Sequence, residues 1–441
     1  MKRALVVLAA AVVGLAPVPV HGAAPARPNI LLLVLDDART GSTEVMTKTE
    51  DWLRGGGAYF PNAVATTPSC CPSRASLLSG RFTHNHGVTQ QDAVGRYDHD
   101  RTLQHDLKAA GYGTAAVGKL FNNWRLSERP PHFDRWALTG GGYENARFVV
   151  DGRSRRAPYS TTFIGDQVNR YVDGFEADDA RPWFVYAGFT APHSPYTPQP
   201  KYAEREFPWS GNPAARETDR RDKPTWVRKY RVTEAEGRAT RTAQLRTLLS
   251  VDDAVESVRQ HLAARGELDN TLVVLVSDNG KFWGEHGLPS KFAPYVPSVA
   301  VPIYLWWPGH VPATTDGRLA ALVDVTPTLL AAIGLAPSYQ VDGRGLLGAD
   351  RRDRVLLEYW QDRANGSIPT WASTYAPGRW QYTEYYDGGG RRVDREYYDL
   401  TADPWQLSNV LGDGEPANDP DLAPLADALA AQRRCTGTAC S

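Results

Sequence analysis

The sequence predicts an α/β fold: a large, mostly parallel central sheet flanked by helices, followed by a smaller antiparallel subdomain at the C-terminal end. Three observations carry this expectation. Short runs rich in Val, Leu, Ile and aromatics alternate with helix-length segments, the pattern of strands buried on both faces. Unusual polar residues recur where those runs end, which is where open α/β sheets bind their ligands. After about residue 350 the texture changes to aromatic, alternating stretches separated by Gly-rich turns.

In chain order, Met1-Lys2-Arg3, the apolar run "ALVVLAAAVVGLAPVPV" and the small residues "HGAAPA" form a basic head, a short core and a small-residue exit. These are the parts of a secretory signal peptide, assigned to residues 1–24 with cleavage near 22–26. Pro17 and Pro19 cut the run below the roughly 20 residues that span a bilayer. The mature protein is therefore expected to be secreted, with no membrane attachment after cleavage. The buried parallel strands are read in 29–37 ("NILLLVLDD"), 112–119, 182–193, 270–280 and 299–309. Helices are expected at 102–110, 161–175, near 234–265 and at 322–334. Residues 200–233 are polar, proline-punctuated and unperiodic, and read as a long surface excursion. The catalytic α/β domain is assigned to 27–350, and 351–441 to an antiparallel subdomain ending in a helix near 421–433.

The composition, 42% hydrophobic and 22% charged with a net charge of −1, is that of a globular protein. No basic tract resembles a nucleic-acid footprint, so no nucleic-acid partner is expected. Of the four cysteines, Cys435 and Cys440 lie close enough in sequence to close a small terminal loop in an oxidising compartment. Cys70 and Cys71 are adjacent, and neighbouring Cα atoms about 3.8 Å apart are closer than an ordinary disulfide prefers. That pair needs another explanation.

Asp36 and Asp37 end the first strand, and Asp278 and Asn279 end "TLVVLVS". Taken singly, an Asp-Asp pair is as well explained by a cap or turn. Two oxygen-rich pairs after two strands make a hard ligand set suited to calcium or magnesium, and nothing has zinc spacing. Lys119 follows "GTAAVG", His193 follows "WFVYAGFTAP" and Lys291 lies in "GLPSKFAPY". Each could be a solvated surface residue. Together with Arg74 on one rim, they suit a tetrahedral oxyanion such as sulfate or phosphate.

"CCPSRASLLSGR" resembles the signature of the formylglycine-dependent sulfatases, C-x-P-S-R followed by an apolar stretch and G-R. Cys70, Pro72, Ser73, Arg74, Gly80 and Arg81 fall where that pattern places them. The likeness continues through "NILLLVLDD", "GYGTAAVGK", "APHSPY", "SDNG", "GEHGL", "VDVTPTLL" and "YDLTADPWQLSNV", and "CCPSR" with "HNH" is similar to the glucosamine-6-sulfatase-like subgroup. The resemblance implies the alkaline-phosphatase-like fold and hydrolysis of sulfate esters, on sulfated carbohydrates such as glucosamine-6-sulfate and other glycosaminoglycan units, or on aryl sulfates.

It further implies that a formylglycine-generating enzyme converts Cys70 to Cα-formylglycine, leaving Cys71 a small buried thiol. One calcium or magnesium ion would be held by Asp36, Asp37, Asp278 and Asn279 with the residue-70 oxygen. Arg74 would hold the formylglycine hydrate, Lys119 and Lys291 would grip sulfate, and His193 would protonate the leaving alcohol. His286 in "GEHG" is a candidate sugar contact or proton relay; His84 and His86 are expected to support the pocket rather than catalyse. Two departures stand out: Phe121 where many relatives carry histidine, and Val296 where relatives usually carry glutamate. The alternatives are a phosphate or phosphonate ester hydrolase of the same superfamily, and an inactive relative that binds sulfated glycans.

Overall fold

The computed structural model describes residues 27–178, 181–362 and 367–440. The expected signal peptide, 1–24, lies outside the described residues. The first strand, β1 (Asn29–Leu35), is wholly buried and lies at the centre of a ten-stranded sheet. β2 (Gly113–Gly118), β3 (Trp183–Gly188) and β4 (Thr271–Ser277) join it in the order β4-β1-β3-β2, all parallel. Alternate residues of β1 enter different cores: Ile30, Leu32 and Val34 face one layer, and Leu31, Leu33 and Leu35 the other. Burial on both faces is why these strands are nearly continuous in apolar residues.

One layer is covered by α1 (Cys70–Ser79) and the helices Leu103–Ala109 and Val325–Ala332. The other is covered by α2 (Ser160–Phe175) and the 32-residue α3 (Glu234–Arg265). Thr233 starts α3 with a reciprocal capping box to Glu236, and Gly266 ends it in the left-handed region. These bounds match the expected helices closely.

Three expectations change. The 299–309 run forms β5 (Ile303–Trp306), which pairs with β4 antiparallel rather than parallel. Burial on both faces gives the same apolar pattern in either direction, so composition does not encode strand sense. Beyond β2 the sheet continues through Arg135–Thr139 and an antiparallel hairpin, Glu144–Val150 with Arg153–Tyr159, that the sequence reading missed. The last strand, "RSRRAPY", is largely exposed and lacks an apolar run to mark it. The 200–233 segment is only partly a surface excursion: Trp226 and Val227 are buried, and Trp226 packs edge-on against Tyr385, 5.9 Å between rings.

Four antiparallel strands, Val355–Tyr359, Thr370–Ala376, Trp380–Tyr386 and Arg392–Asp399, form the separate small sheet, with α4 (Ala423–Gln432) following. Its core continues into Phe282, Phe292 and Tyr295 of the loops after β4. Cys435 and Cys440 form the expected disulfide. Among the described residues, no helix is long and apolar enough to cross a membrane.

Candidate active site

The carboxyl ends of β1, β2, β3 and β4 converge, as parallel neighbours must, and α1 points its N-terminus at the same rim. Ser69 is extended and ends the loop before α1, Pro72 sits in the first turn where its missing N–H costs nothing, and Gly80 closes the helix at φ 65°. All ten residues of α1 are buried, so Cys70 is held by packing along the whole helix. Adjacent residues on a helix point about 100° apart. The cysteine pair therefore divides: Cys71 enters the apolar layer, where its sulfur accepts from the Asn122 backbone N–H at 3.0 Å. Cys70 faces the polar rim, its sulfur 2.9 Å from Lys291 Nζ and 3.6 Å from Asp36 Oδ1.

Around Cys70 the sequence-predicted residues form one network. Lys119 Nζ donates to Asp36 Oδ2, and Lys291 Nζ donates to Asp37 Oδ1 and, at 3.1 Å, to Asn279 Oδ1. The Asn279 amide donates to Asp37 Oδ1 at 2.7 Å, and the Asp37 backbone N–H donates to Asp278 Oδ1 at 3.2 Å. Asp37 adopts φ 71°, a left-handed conformation that Asp tolerates better than most residues. Arg74 is fully buried; it donates to Asp278 Oδ2 at 2.8 Å, to the Lys119 carbonyl at 2.7 Å and to the Tyr186 hydroxyl at 2.8 Å. Among the described residues its Nη2 has no hydrogen-bond partner, and it lies 3.7 Å from Asp36 Oδ2. Gly188 makes room for this: a Cβ there would stand 2.0 Å from the Lys119 carbonyl oxygen and 3.1 Å from Arg74 Nη1. His193 Nε2 lies 3.9 Å from Asp37 Oδ2, at the more exposed edge.

These charges set one another's protonation. Burial alone would raise the Asp36 pKa, but Lys119, His193, Arg74 and Lys291 outweigh it and hold the carboxyl well below the usual range. Burial opposes ionisation of Asp37 too, yet Lys291, His193 and Lys281 bring it to about 2. Burial, and then the Asp36 charge, push Asp278 upward against Arg74. Lys119 and Lys291 rise above ordinary lysine because Asp36 and Asp37 overcome the burial penalty. At Cys70, burial dominates and pushes the thiol up to about 11 despite Lys119 and Lys291. Burial thus favours the protonated form of an unmodified Cys70, which makes it a weak nucleophile.

Ligand atoms of Asp36, Asp37, Cys70 and His193 lie within 4.8 Å of one another, and Asp278 and Asn279 join them through hydrogen bonds. Beside the Cys70 sulfur and the His193 imidazole, the donors are carboxylate and amide oxygens. That chemistry fits calcium or magnesium better than zinc.

His286 is the predicted residue that no contact brings into this cluster. Its Nδ1 pairs with Glu217 at 2.8 Å and its ring packs 4.3 Å from Tyr295. His84 is held by Glu358 and the Cys435 carbonyl, and His86 by Ser76 at 2.9 Å, consistent with support of α1. Phe121 is buried beside Tyr97, 5.5 Å between rings, and Val296 begins a short helix whose first N–H donates to Gln406. Sequence reasoning missed Gln244, which reaches from α3 to donate to the Asp37 and Pro192 carbonyls, both at 3.1 Å. It also missed Lys281, 3.9 Å from Asp37 Oδ2, whose place two residues after Asn279 was the available signal.

Residues 28–335 match the family model described as Sulfatase. The extracellular sulfatase SULF-1 homolog of Drosophila melanogaster is 33% identical over 364 residues, covering 76% of this chain and 32% of that protein. The chain thus spans about a third of that relative's length. The N-acetylglucosamine-6-sulfatase of Capra hircus is 30% identical over 484 residues, covering 94% of this chain and 85% of the relative. Among solved structures, a protein in complex with its substrate D-glucosamine-2-N,6-O-disulfate superposes with a TM-score of 0.80 at 22% identity, covering 92% of this chain and 96% of that one. The phosphonate monoester hydrolase of Agrobacterium radiobacter superposes with a TM-score of 0.71 at 21% identity, with the same two coverages of 92% and 96%. By the family match along most of its length and by relatives at this identity, the chain belongs to the sulfatase family of sulfuric ester hydrolases.

Proposed function

We infer that this protein removes sulfate from sulfated saccharides of the glucosamine-6-sulfate kind, and from aryl sulfates, with Cys70 matured to Cα-formylglycine by a formylglycine-generating enzyme. The observation that carries the reading is the place of Cys70: at the N-terminus of a buried helix, touching Lys291 and Asp36. A thiol so placed, its ionisation opposed by burial, is a weak nucleophile, which supports conversion before it acts. The saccharide preference is drawn from the names of the relative and the structural neighbour. Extracellular relatives and the basic-apolar N-terminus support export.

In the matured form, residue 70 supplies a geminal diol, one hydroxyl to attack sulfur and the other to expel sulfate once the ester has been cleaved. Asp36, Asp37, Asp278 and Asn279 would hold a calcium or magnesium ion, which would supply neutralisation of the substrate's negative charge. The chain's own residues do the rest. Lys119 and Lys291 hold the sulfate oxygens and orient sulfur toward residue 70. Arg74, locked by Asp278, Tyr186 and the Lys119 carbonyl, orients the residue-70 hydroxyls, favours the ionised form of Asp36 and opposes the rise of Asp278. The N-terminus of α1 adds a favourable dipole for the anion. His193, at the open edge with Nε2 turned inward, gives a proton to the departing alcohol oxygen.

Protein coexpressed with a formylglycine-generating enzyme is expected to release sulfate from glucosamine 6-sulfate. Chelation should abolish turnover, and calcium or magnesium should restore it. Full turnover after thorough demetallation overturns the ligand assignment. The phosphonate hydrolase neighbour favours a second reading, and cleavage of phosphonate monoesters without any sulfate ester would select it.

A further inference from the structure

We propose that Lys281 is a further catalytic residue, contacting the ester oxygen on the leaving-group side beside His193 and stabilising the negative charge that gathers there. The inference rests on the sulfate-ester reading above.

Lys281 lies in the loop after β4, and its side chain is 9% exposed. Its nearest carboxylate oxygen, Asp37 Oδ2, is 3.9 Å away, too far for a hydrogen bond, and among the described residues it has no hydrogen-bond acceptor. A cation buried this deeply without an acceptor is costly unless something fills the gap. The other two lysines are engaged: Lys119 donates to Asp36, and Lys291 donates to Asp37 Oδ1, Asn279 and the Cys70 sulfur. They serve the residue-70 side of the site.

Lys281 sits on the other oxygen of Asp37, and so does His193, whose Nε2 is also 3.9 Å from Oδ2. Both nitrogens therefore lie within 4 Å of the same carboxylate oxygen. Tyr196, at φ 59°, places its ring 5.9 Å from Lys281 Nζ. An ester whose sulfur faces residue 70 and whose bridging oxygen faces His193 brings that same oxygen to Lys281. In the transfer, the bond from sulfur to the alcohol oxygen breaks and its electron pair stays on that oxygen. His193 supplies the proton to that oxygen, the sulfuryl group passes to the residue-70 hydroxyl oxygen, and the hydroxyl's own proton goes to a carboxylate beside residue 70 such as Asp36. Charge on the departing oxygen is greatest for weakly acidic alcohols such as sugars and least for acidic phenols.

The test is a leaving-group series: glucosamine 6-sulfate and phenyl sulfates of graded acidity, with matured wild type, Lys281→Met and Lys281→Arg. The methionine variant should lose about 100-fold in kcat on the sugar ester, the usual scale for one lost charge-stabilising contact. It should lose only a few-fold on 4-nitrophenyl sulfate, and rates across the phenyl series should fall more steeply with decreasing acidity. Arginine should restore part of the sugar rate, and it decides the matter if the methionine variant fails to fold. Equal loss on every ester overturns the proposal, as does a loss that follows the number of anionic groups on the sugar instead of the leaving group. Wild-type rates judge the sulfate reading separately. Should wild type cleave only phosphonate esters, the same graded phenyl series built on phosphonates tests Lys281.

Discussion

Cys71→Ala and Cys70→Ala replace adjacent residues of one helix, yet the structure assigns them opposite consequences. Removing the Cys71 sulfur leaves the Asn122 N–H, now 3.0 Å from it, without its acceptor in a half-buried position. An unsatisfied donor there costs up to about 1 kcal/mol, the low end of the buried range, and the lost apolar volume adds about 0.8 kcal/mol, the value of one methylene-sized group. Denaturant unfolding should therefore show a loss of about 1–2 kcal/mol. kcat in the matured protein should stay within about twofold, because nothing on the reacting rim has moved. Cys70→Ala touches only the rim, where the sulfur meets Lys291 and Asp36. It should leave the unfolding free energy nearly unchanged and reduce turnover by about 10⁴-fold or more, as loss of a nucleophile does. Labelling supplies an independent readout: a carbonyl-reactive probe should mark residue 70 of the matured chain, and a thiol reagent residue 71 after unfolding. Equal loss of turnover from both substitutions, or a Cys70–Cys71 disulfide in active protein, would refute the reasoning.

Two other outcomes follow from particular charges. Lys291→Ala should cut kcat about a hundredfold or more, and it also strips Asp37 of its buried partner. Metal-free protein should therefore lose about 3–5 kcal/mol of stability on this change, with saturating calcium or magnesium recovering part of it; an identical loss with and without the cation would argue against a shared site. Asp253 on α3 accepts from Lys48 and Lys201 at 2.5 Å and from the Tyr202 hydroxyl at 2.6 Å. Burial opposes its ionisation, but those bonds bring its pKa from 3.8 to about 2. A carboxyl lowered on folding contributes stability above its unfolded value and loses it as pH falls, so this contribution should fade between pH 3.8 and about 2. Asp253→Asn should flatten the acid limb of the stability profile there, and an unchanged limb would remove the group from the account.

The strand-helix alternation and the metal-type oxygen pairs could be read from the chain because each is a local pattern with one common physical cause, whereas the cysteine signature was legible only through its family resemblance. Apolar runs such as "NILLLVL" report burial on both faces, and polar residues that end them must lie beyond the strand. Asp36, Asp37, Lys119, Asp278 and Lys291 were found in this way, and all meet around Cys70. Burial says nothing of direction, so the antiparallel sense of Ile303–Trp306 emerged only from its pairing with β4. The Arg-rich edge hairpin carried no apolar run, because an edge strand half in solvent needs none.

The functions of single side chains were decided by tertiary structure for a different reason. Cys70 and Cys71 differ only in the faces their helix gives them, and those faces exist only once α1 is packed between the sheet and the neighbouring helices. Gln244 reaches the Asp37 carbonyl across 207 residues of sequence, and His286 meets Glu217 and Tyr295. Lys281 went unread in the sequence, and the fold buries it against Asp37 without a hydrogen-bond acceptor among the described residues. Sequence determined which chemical groups the protein brings to the end of its sheet, since backbone periodicity fixes where they fall. Only the packed structure decided which of them face one another, because electrostatic partnership depends on separations of a few ångströms between residues hundreds apart in the chain.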